Sequence, residues 1–247
     1  MLIFPFILPV FLSFAFAVPK VYLAGDSTMV ATGNNDGTAG WGAFLPEFLT
    51  LPVINEAVAG RSARSFTREG RFGAIANNVT NGDFVVIEFG HNDGNPLVPV
   101  DNGRSDCSPI NGTGYDTTCT TTYNGTEYVL TYTRYLTNAA LLYRARGVNV
   151  IISTATTNNL WETGNFTYSA NRFVQYARDA AHESSSTFVD HGQAMADAYK
   201  ALGPSAVDAF YPHDHTHTSP AGAEVVAKAF VTALEYTKSK LKKYIDN

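Results

Sequence analysis

The sequence predicts a three-layer α/β/α sandwich, in which a five-stranded parallel sheet lies between two layers of helices. Short runs rich in Val, Ile and Phe alternate with longer stretches of helical periodicity along the chain. These short runs are apolar on both faces, which is typical of strands that helices cover on each side. Hydrophobic residues make up 45% and charged residues 16% of the 247 positions, so the chain can bury a core of this size.

Five segments are predicted as strands because each is short and is rich in β-branched or aromatic residues. They span residues 21–24, 53–57, 84–89, 148–153 and 187–190. Helical periodicity predicts helices at 42–49, 65–78, 126–145, 168–184, 191–201 and 219–242. The last of these begins clearly, because Ser219 is a good N-cap and Pro220 suits the first turn. No repeat or linker divides the pattern, so we expect a single domain over residues 18–247.

The first 17 residues have the composition of a secretory signal peptide. They include 14 apolar side chains and no charged one, and Ala15 and Ala17 form a small-x-small cleavage signal. A short membrane anchor is the alternative, although Pro5 and Pro9 interrupt the apolar run. We therefore expect a secreted, extracellular protein without a membrane segment after cleavage.

Two further features suit an oxidising, extracellular compartment. Cys107 and Cys119, the two cysteines of the chain, lie in a long polar segment at about 92–124. We expect them to form a disulfide, with two free thiols as the alternative. Glycosylation sequons place possible N-linked glycans at Asn78, Asn111, Asn124 and Asn165.

The charge balance excludes one class of function. Seventeen Lys and Arg stand against 22 Asp and Glu, which gives a net charge of −5. A mildly acidic chain without basic blocks lacks the electrostatic footprint of a nucleic-acid-binding protein.

Residues that could take part in catalysis follow the first three predicted strands. Ser27 comes after the first strand, where its hydroxyl could act as a nucleophile or simply cap a turn. Gly60 follows the second strand, and its N–H could donate a hydrogen bond to an anion. Asn92 follows the third strand and could supply an uncharged amide donor. Carboxyl ends of parallel strands share one edge of the sheet, so these groups are expected to meet there.

The last loop contains Asp214 and His217, three residues apart. At this spacing the carboxylate can accept from His217 Nδ1–H and leave Nε2 as a general base toward a serine. A metal site is the alternative, because His213 and His215 alternate with these residues. No second ligand cluster is evident in the sequence, and we expect no metal.

These motifs together resemble those of the SGNH hydrolases, the GDSL-type esterase superfamily. The resemblance rests on Gly25-Asp26-Ser27, Gly60, Gly90-His91-Asn92-Asp93 and Asp214-His215-Thr216-His217, which span nearly the whole mature chain. Within the superfamily, segments 22–28, 55–62 and 89–94 look closest to the fungal rhamnogalacturonan acetylesterases. Thr28 stands where the superfamily usually has Leu, a variation that this branch shares.

The resemblance implies a flavodoxin-like SGNH fold and a serine acetylesterase that acts on acetylated plant cell-wall polysaccharide. Ser27, Asp214 and His217 would form the catalytic triad, and Ser27, Gly60 and Asn92 the oxyanion hole. No cofactor is implied, and a monomer is expected. Arg61 and Arg64 follow the second strand at helical spacing and could meet uronate carboxylates, or could lie on a solvated helix face. Another SGNH esterase, for acetylxylan or lipid, and a non-catalytic glycan-binding module stay open as alternatives.

Overall fold

The computed structural model describes residues 18–31 and 36–246. Its main sheet has five parallel strands in the order β2-β1-β3-β6-β7. Two shorter strands, β4 and β5, pair as an antiparallel hairpin outside this sheet. The strands are β1 (Val21–Gly25), β2 (Val53–Asn55), β3 (Phe84–Glu88), β4 (Thr118–Thr121), β5 (Glu127–Leu130), β6 (Asn149–Ser153) and β7 (Thr187–Val189). The predicted fold class is confirmed, whereas the predicted signal peptide lies outside the described residues.

Seven α-helices and three 3₁₀ helices are found in the part of the chain that the structure describes. The α-helices are α1 (Ala63–Arg68), α2 (Arg71–Asn78), α3 (Tyr132–Arg144), α4 (Arg172–Glu183), α5 (His191–Leu202), α6 (Pro204–Asp208) and α7 (Pro220–Glu235). The 3₁₀ helices span Trp41–Ala43, Leu45–Phe48 and Lys240–Tyr244. None of the helices in 18–31 and 36–246 combines the length and apolar character needed to cross a bilayer.

Alternating side chains of the central strands enter two separate cores. In β1, Tyr22 and Ala24 join the core beneath α1–α4, while Val21 and Leu23 join the core beneath α5–α7 and the 3₁₀ helices. This alternation is the period-two geometry of a strand, and it explains why the strand sequences are apolar throughout. The result is the predicted helix–sheet–helix sandwich.

Several predicted helices have different boundaries in the structure. The segment 65–78 is two helices, because Gly70 takes a left-handed conformation (φ 71°) between α1 and α2. The segment 126–145 begins as strand β5, and α3 starts only after Thr131, whose side chain accepts from Arg134 N–H. The segment 42–49 forms two 3₁₀ turns. Ser219 caps α7 as predicted by accepting from Gly222 N–H, but the helix ends at Glu235.

The predicted disulfide between Cys107 and Cys119 is present, with a Cα–Cα distance of 5.5 Å. It ties the long loop that follows β3 to strand β4. Cys107 also forms an isolated bridge with Thr131, immediately before α3. The long loop is therefore anchored at its centre to the hairpin and to the helix layer.

Candidate active site

Ser27 lies in a tight turn directly after β1. Asp26, whose pKa is raised by burial, precedes the serine. Its Oδ1 accepts a hydrogen bond from Thr28 N–H at 2.9 Å and another from Thr28 Oγ1–H at 2.8 Å. This Asx-type turn fixes the backbone around Ser27. At Gly25 a Cβ atom would lie 2.6 Å from Met29 Sδ and 2.9 Å from the Glu88 carbonyl oxygen. Only glycine fits there, so the strand can end close enough to β3 to present Ser27 at the sheet edge.

The last loop brings a histidine and an aspartate to this serine. His217 Nε2 lies 2.9 Å from Ser27 Oγ, and His217 Nδ1 lies 2.7 Å from Asp214 Oδ2. The other Asp214 oxygen accepts from the backbone N–H groups of Thr216 and His217, each at 2.7 Å. These bonds hold the carboxylate, imidazole and hydroxyl in one continuous chain, as nucleophilic catalysis by serine requires.

The protonation of Asp214 follows from the same contacts. Burial raises its pKa, but the hydrogen bonds from the His217 side chain and from the loop backbone outweigh burial and lower the pKa to about 2. Asp214 is therefore a carboxylate at any mildly acidic or neutral pH. An ionised acceptor selects the His217 tautomer that carries its proton on Nδ1, which leaves the Nε2 lone pair facing the serine.

Gly60 and Asn92 line the same cavity as Ser27 and His217, and its volume is about 390 Å³. Gly60 has φ +73°, a conformation that glycine adopts readily. Asn92 Nδ2 donates to the Arg61 carbonyl at 3.0 Å, and this bond uses one of its two hydrogens. The second amide hydrogen is left for an oxyanion. The structure thus brings together all the residues predicted for the triad and for the oxyanion hole.

We predict that Asn92→Ala lowers kcat by about 100-fold to 1,000-fold, the loss typical of removing one oxyanion donor. KM should change much less, because the donor acts mainly on the charge that develops in the transition state. Steady-state kinetics on an aryl acetate checks this, with Asn138→Ala on α3 as a control remote from the cavity. An unchanged kcat would remove Asn92 from the oxyanion hole.

The two arginines predicted to contact substrate have different surroundings. Arg64 is completely buried, and its Nη2 lies 2.8 Å from Asp101 Oδ2 and 2.7 Å from Glu127 Oε2. The two carboxylates neutralise its charge inside the protein, and its guanidinium group is not accessible to a ligand. The prediction that Arg64 binds substrate is therefore wrong. Arg61 is partly exposed and pairs with Glu69 at 3.1 Å. Its role toward substrate stays a prediction.

A third arginine, Arg104, lines the cavity and was missed by the sequence reasoning. Its Nη1 donates to Asn92 Oδ1 at 3.0 Å. The turn-forming run Asp101-Asn102-Gly103 precedes it within the long polar loop. That run could have marked a structured turn, but only the folded loop shows that it reaches the site.

The histidines considered as metal ligands contact different partners. His213 Nε2 lies 2.6 Å from the Asp36 carbonyl oxygen, whereas His215 Nδ1 lies 3.1 Å from Glu162 Oε1. His217 faces Ser27. Within 18–31 and 36–246, no three His, Cys, Asp or Glu side chains are grouped so that they could hold a metal ion.

A buried pair of carboxyls, Asp93 and Asp106, lies behind the oxyanion side of the site. Asp93 Oδ1 accepts from Ala63 N–H at 2.8 Å, which anchors the start of α1. Asp93 Oδ2 and both Asp106 oxygens find no donor among the described residues. Burial raises the pKa of Asp93 to about 7 and that of Asp106 well above its usual range. A proton retained on one carboxyl would supply the missing donor.

This pair predicts a pH dependence of stability. These two carboxyl groups bind protons more tightly in the folded state than in the unfolded chain. The pair therefore destabilises the folded protein increasingly as pH rises from about 4 to about 7. We expect Tm to increase when the pH falls from about 7 to about 5, and Asp106→Asn to flatten this slope by supplying an amide donor. Differential scanning calorimetry checks the prediction, with Asp197→Asn, at an exposed position of α5, as the control. Parallel Tm–pH profiles for Asp106→Asn and wild type would contradict it.

The fold and a family comparison together define the class of protein. Residues 21–230 match the family model of the GDSL-like lipase/acylhydrolases, and the chain belongs to this family. It is therefore a serine hydrolase of carboxylic esters on an SGNH fold.

The chain is similar to several acetylesterases. The chain is 52% identical to the rhamnogalacturonan acetylesterase of Emericella nidulans over 87% of its own length and 84% of the relative's. It is 27% identical to the rhamnogalacturonan acetylesterase RhgT of Bacillus subtilis, over 92% and 94% of the two chains. Among solved structures, a catalytic mutant of the acetylxylan esterase Axe2 of Geobacillus stearothermophilus superposes with a TM-score of 0.59 at 18% identity. That superposition covers 88% of this chain and 94% of Axe2. At such low identity, the likeness to Axe2 shows the fold alone.

Proposed function

We propose that this protein is a secreted carbohydrate esterase that removes acetyl groups from the rhamnogalacturonan backbone of pectin. The chemistry rests on one observation, the continuous hydrogen-bonded chain from Asp214 through His217 to Ser27 at the carboxyl edge of the sheet. The glycan is inferred from the 52% identical rhamnogalacturonan acetylesterase. Residues 18–247 would form one catalytic domain.

The proposed reaction has two acyl-transfer steps. Ser27 Oγ attacks the acetyl carbonyl while His217 Nε2 takes the hydroxyl proton. The oxyanion that forms is stabilised by Asn92 Nδ2–H and by the backbone N–H groups of Gly60 and Ser27. The bond between the acetyl carbon and the sugar oxygen then breaks while His217 protonates that oxygen, and acetyl-Ser27 remains. Water, deprotonated by His217, attacks this ester, and His217 returns the proton to Ser27 Oγ as the acyl bond breaks and acetate leaves. These steps use only groups of the chain and water.

The surroundings of Ser27 favour a sugar ester over a lipid ester. Thr38, Asn92, Arg104 and His213 line the cavity beside the triad. Hydroxyl, amide and charged groups match the hydroxyls of a sugar, whereas an acyl chain would need a continuous apolar surface. A polysaccharide also needs an accessible site, and Asp214 and His217 are both partly exposed.

Secretion is the second part of the proposal. The apolar segment 1–17 has the composition of a signal peptide. The sequon asparagines Asn78, Asn111, Asn124 and Asn165 are all exposed, so each is accessible for glycosylation. The Cys107–Cys119 disulfide suits an oxidising compartment. N-terminal sequencing of the exported protein would test cleavage after Ala17.

Acetate release tests the activity and the glycan together. Wild-type protein should release acetate from acetylated rhamnogalacturonan and much less from acetylated xylan, and Ser27→Ala should release none. Faster release from xylan would preserve the mechanism and overturn the glycan assignment. Absence of release from both would argue for a different ester or for a glycan-binding role.

A further inference from the structure

Arg104 presents an unneutralised positive charge beside the catalytic serine. Its guanidinium lines the cavity that contains Ser27 and His217. Among the described residues, no carboxylate oxygen lies within 4.0 Å of it, whereas Arg61 and Arg64 are each paired with acidic side chains. A cation that the protein does not neutralise can interact with a charged ligand without first breaking an internal ion pair.

The contacts of Arg104 leave most of its donors available. Nη1 donates to Asn92 Oδ1 at 3.0 Å and approaches the Gly60 carbonyl oxygen at 3.5 Å. Nε and Nη2 donate to no group in 18–31 or 36–246. A guanidinium can bind a planar carboxylate through two parallel N–H groups. Arg104 can therefore orient the Asn92 amide with one nitrogen and bind an anion with the others.

The loop around Arg104 is fixed by hydrogen bonds within the loop and by the buried side chain of Arg64. Asn102 Oδ1 accepts from Arg104 N–H at 2.9 Å, and Asp101 Oδ1 accepts from Gly103 N–H at 2.8 Å. The buried guanidinium of Arg64 in turn holds Asp101 and donates to the Ser105 carbonyl at 2.8 Å. The loop is thus held in place before substrate arrives, which lowers the entropic cost of binding.

The acidic groups of the cavity do not compensate this charge. Asp214 is engaged by His217 and by the loop backbone. Asp36 accepts from Thr38 N–H and Thr38 Oγ1–H, and its carbonyl oxygen contacts His213. Asp214 is hydrogen-bonded to His217 and the Asp36 carbonyl contacts His213, whereas Arg104 contacts Asn92 and Gly60. Within the lining of the cavity, Arg104 therefore contributes a positive charge on the oxyanion side, in a protein whose net charge is −5.

We propose that Arg104 binds the carboxylate of the uronic acid residue that carries the acetyl ester, and thereby determines specificity for acetylated uronates over neutral acetylated sugars. This inference rests on the proposed carbohydrate esterase function and identifies the charged group that the site recognises. Arg104 has the substrate-binding role that the sequence predicted for Arg64, which is buried in the fold.

The test compares two substrates that differ only at the uronate carboxyl groups, which are charged in one and neutral in the other. One is an acetylated rhamnogalacturonan oligosaccharide with free carboxylates, and the other is the same material after carbodiimide coupling has converted the carboxylates to neutral N-methylamides. kcat and KM are measured on both for wild type, Arg104→Gln and Arg104→Lys. Arg146→Gln is the matched control, because it removes one positive charge at the opposite edge of the sheet, just before β6.

Wild type should show a kcat/KM about tenfold or more higher on the carboxylate substrate, the size expected for a hydrogen-bonded pair with a charged group. The difference should lie mainly in KM. The preference should fall to near one in Arg104→Gln, persist in part in Arg104→Lys and be unchanged in Arg146→Gln. Hydrolysis of an aryl acetate by Arg104→Gln reports separately on the orientation of Asn92.

Two results would overturn the inference while the esterase function stands: equal kcat/KM of wild type on both oligosaccharides, or an undiminished preference in Arg104→Gln. An equal loss on both substrates leaves the ratio intact and reduces Arg104 to a residue that positions Asn92. If Arg104→Gln fails to fold, the wild-type ratio and Arg104→Lys still decide. Absence of acetate release from either oligosaccharide by wild type would overturn the proposed function itself.

Discussion

Replacing Ser27 with alanine is expected to lower kcat by about a million-fold, the size of loss seen when the nucleophile of a serine hydrolase is removed. The reason is the 2.9 Å contact between Ser27 Oγ and His217 Nε2, which no neighbouring hydroxyl reproduces among the described residues. Without Oγ, His217 has no group to deprotonate except water. Acetate release from acetylated rhamnogalacturonan and from an aryl acetate measures the loss.

The variant should otherwise resemble wild type. The Asx-type turn depends on Asp26 and Thr28 and does not involve Ser27 Oγ, so Tm should be nearly unchanged. Ser205→Ala on exposed α6 is the matched control and should retain full activity. Turnover by Ser27→Ala within tenfold of wild type would rule out nucleophilic catalysis by this serine.

The second largest effect is expected for Asp214→Asn, which should lower kcat by about 10,000-fold through the wrong imidazole tautomer. The amide that replaces Oδ2 can donate to His217 Nδ1, which places the ring proton on Nε2 and removes the base that faces Ser27. Asp197→Asn on α5 is the matched control for the loss of one negative charge.

The pH dependence provides an independent check on Asp214. The pKa of Asp214 is about 2 in the folded protein, which is below the usual value of an aspartate. Ionisation of Asp214 therefore stabilises the folded state at any pH above that usual value. That contribution is lost only as pH falls through about 4 toward about 2. Activity between about pH 5 and pH 8 should therefore not follow the titration of Asp214.

An Asp214→Asn enzyme that retained a tenth of wild-type kcat would show that the carboxylate does not control the tautomer.

The site was predictable because its signals are local. Ser27, Gly60 and Asn92 each follow a strand whose apolar pattern is evident in the sequence, and strand ends converge at one edge of a parallel sheet. The spacing of Asp214 and His217 is within one turn of chain, so their contact does not depend on the rest of the fold. The cysteine pair was predictable for a similar reason, because the chain has no other cysteine.

What could not be predicted depends on long-range contacts. Helical spacing suggested Arg64 as a surface residue, yet Asp101 and Glu127 from distant segments enclose it. The β4–β5 hairpin was assigned in part to a helix, because β5 has only four residues and its strand geometry depends on pairing with β4, which the disulfide ties to the preceding loop. Likewise, Glu88 and His191 lie 2.8 Å apart in the core, 103 positions apart in the chain. Arg104 belongs to the same group, since only the folded loop brings it to Asn92.

The assignment of Ser27 as the nucleophile can be tested by mapping the site of modification by an organophosphorus ester that reacts irreversibly with activated serines. We expect one phosphoryl group to be incorporated per chain, peptide mapping to place it on Ser27, and activity to fall in proportion to its incorporation. His217→Ala should react far more slowly, because the hydroxyl then lacks its base. Complete loss of activity with Ser27 unmodified, or full activity with Ser27 modified, would show that Ser27 is not the nucleophile.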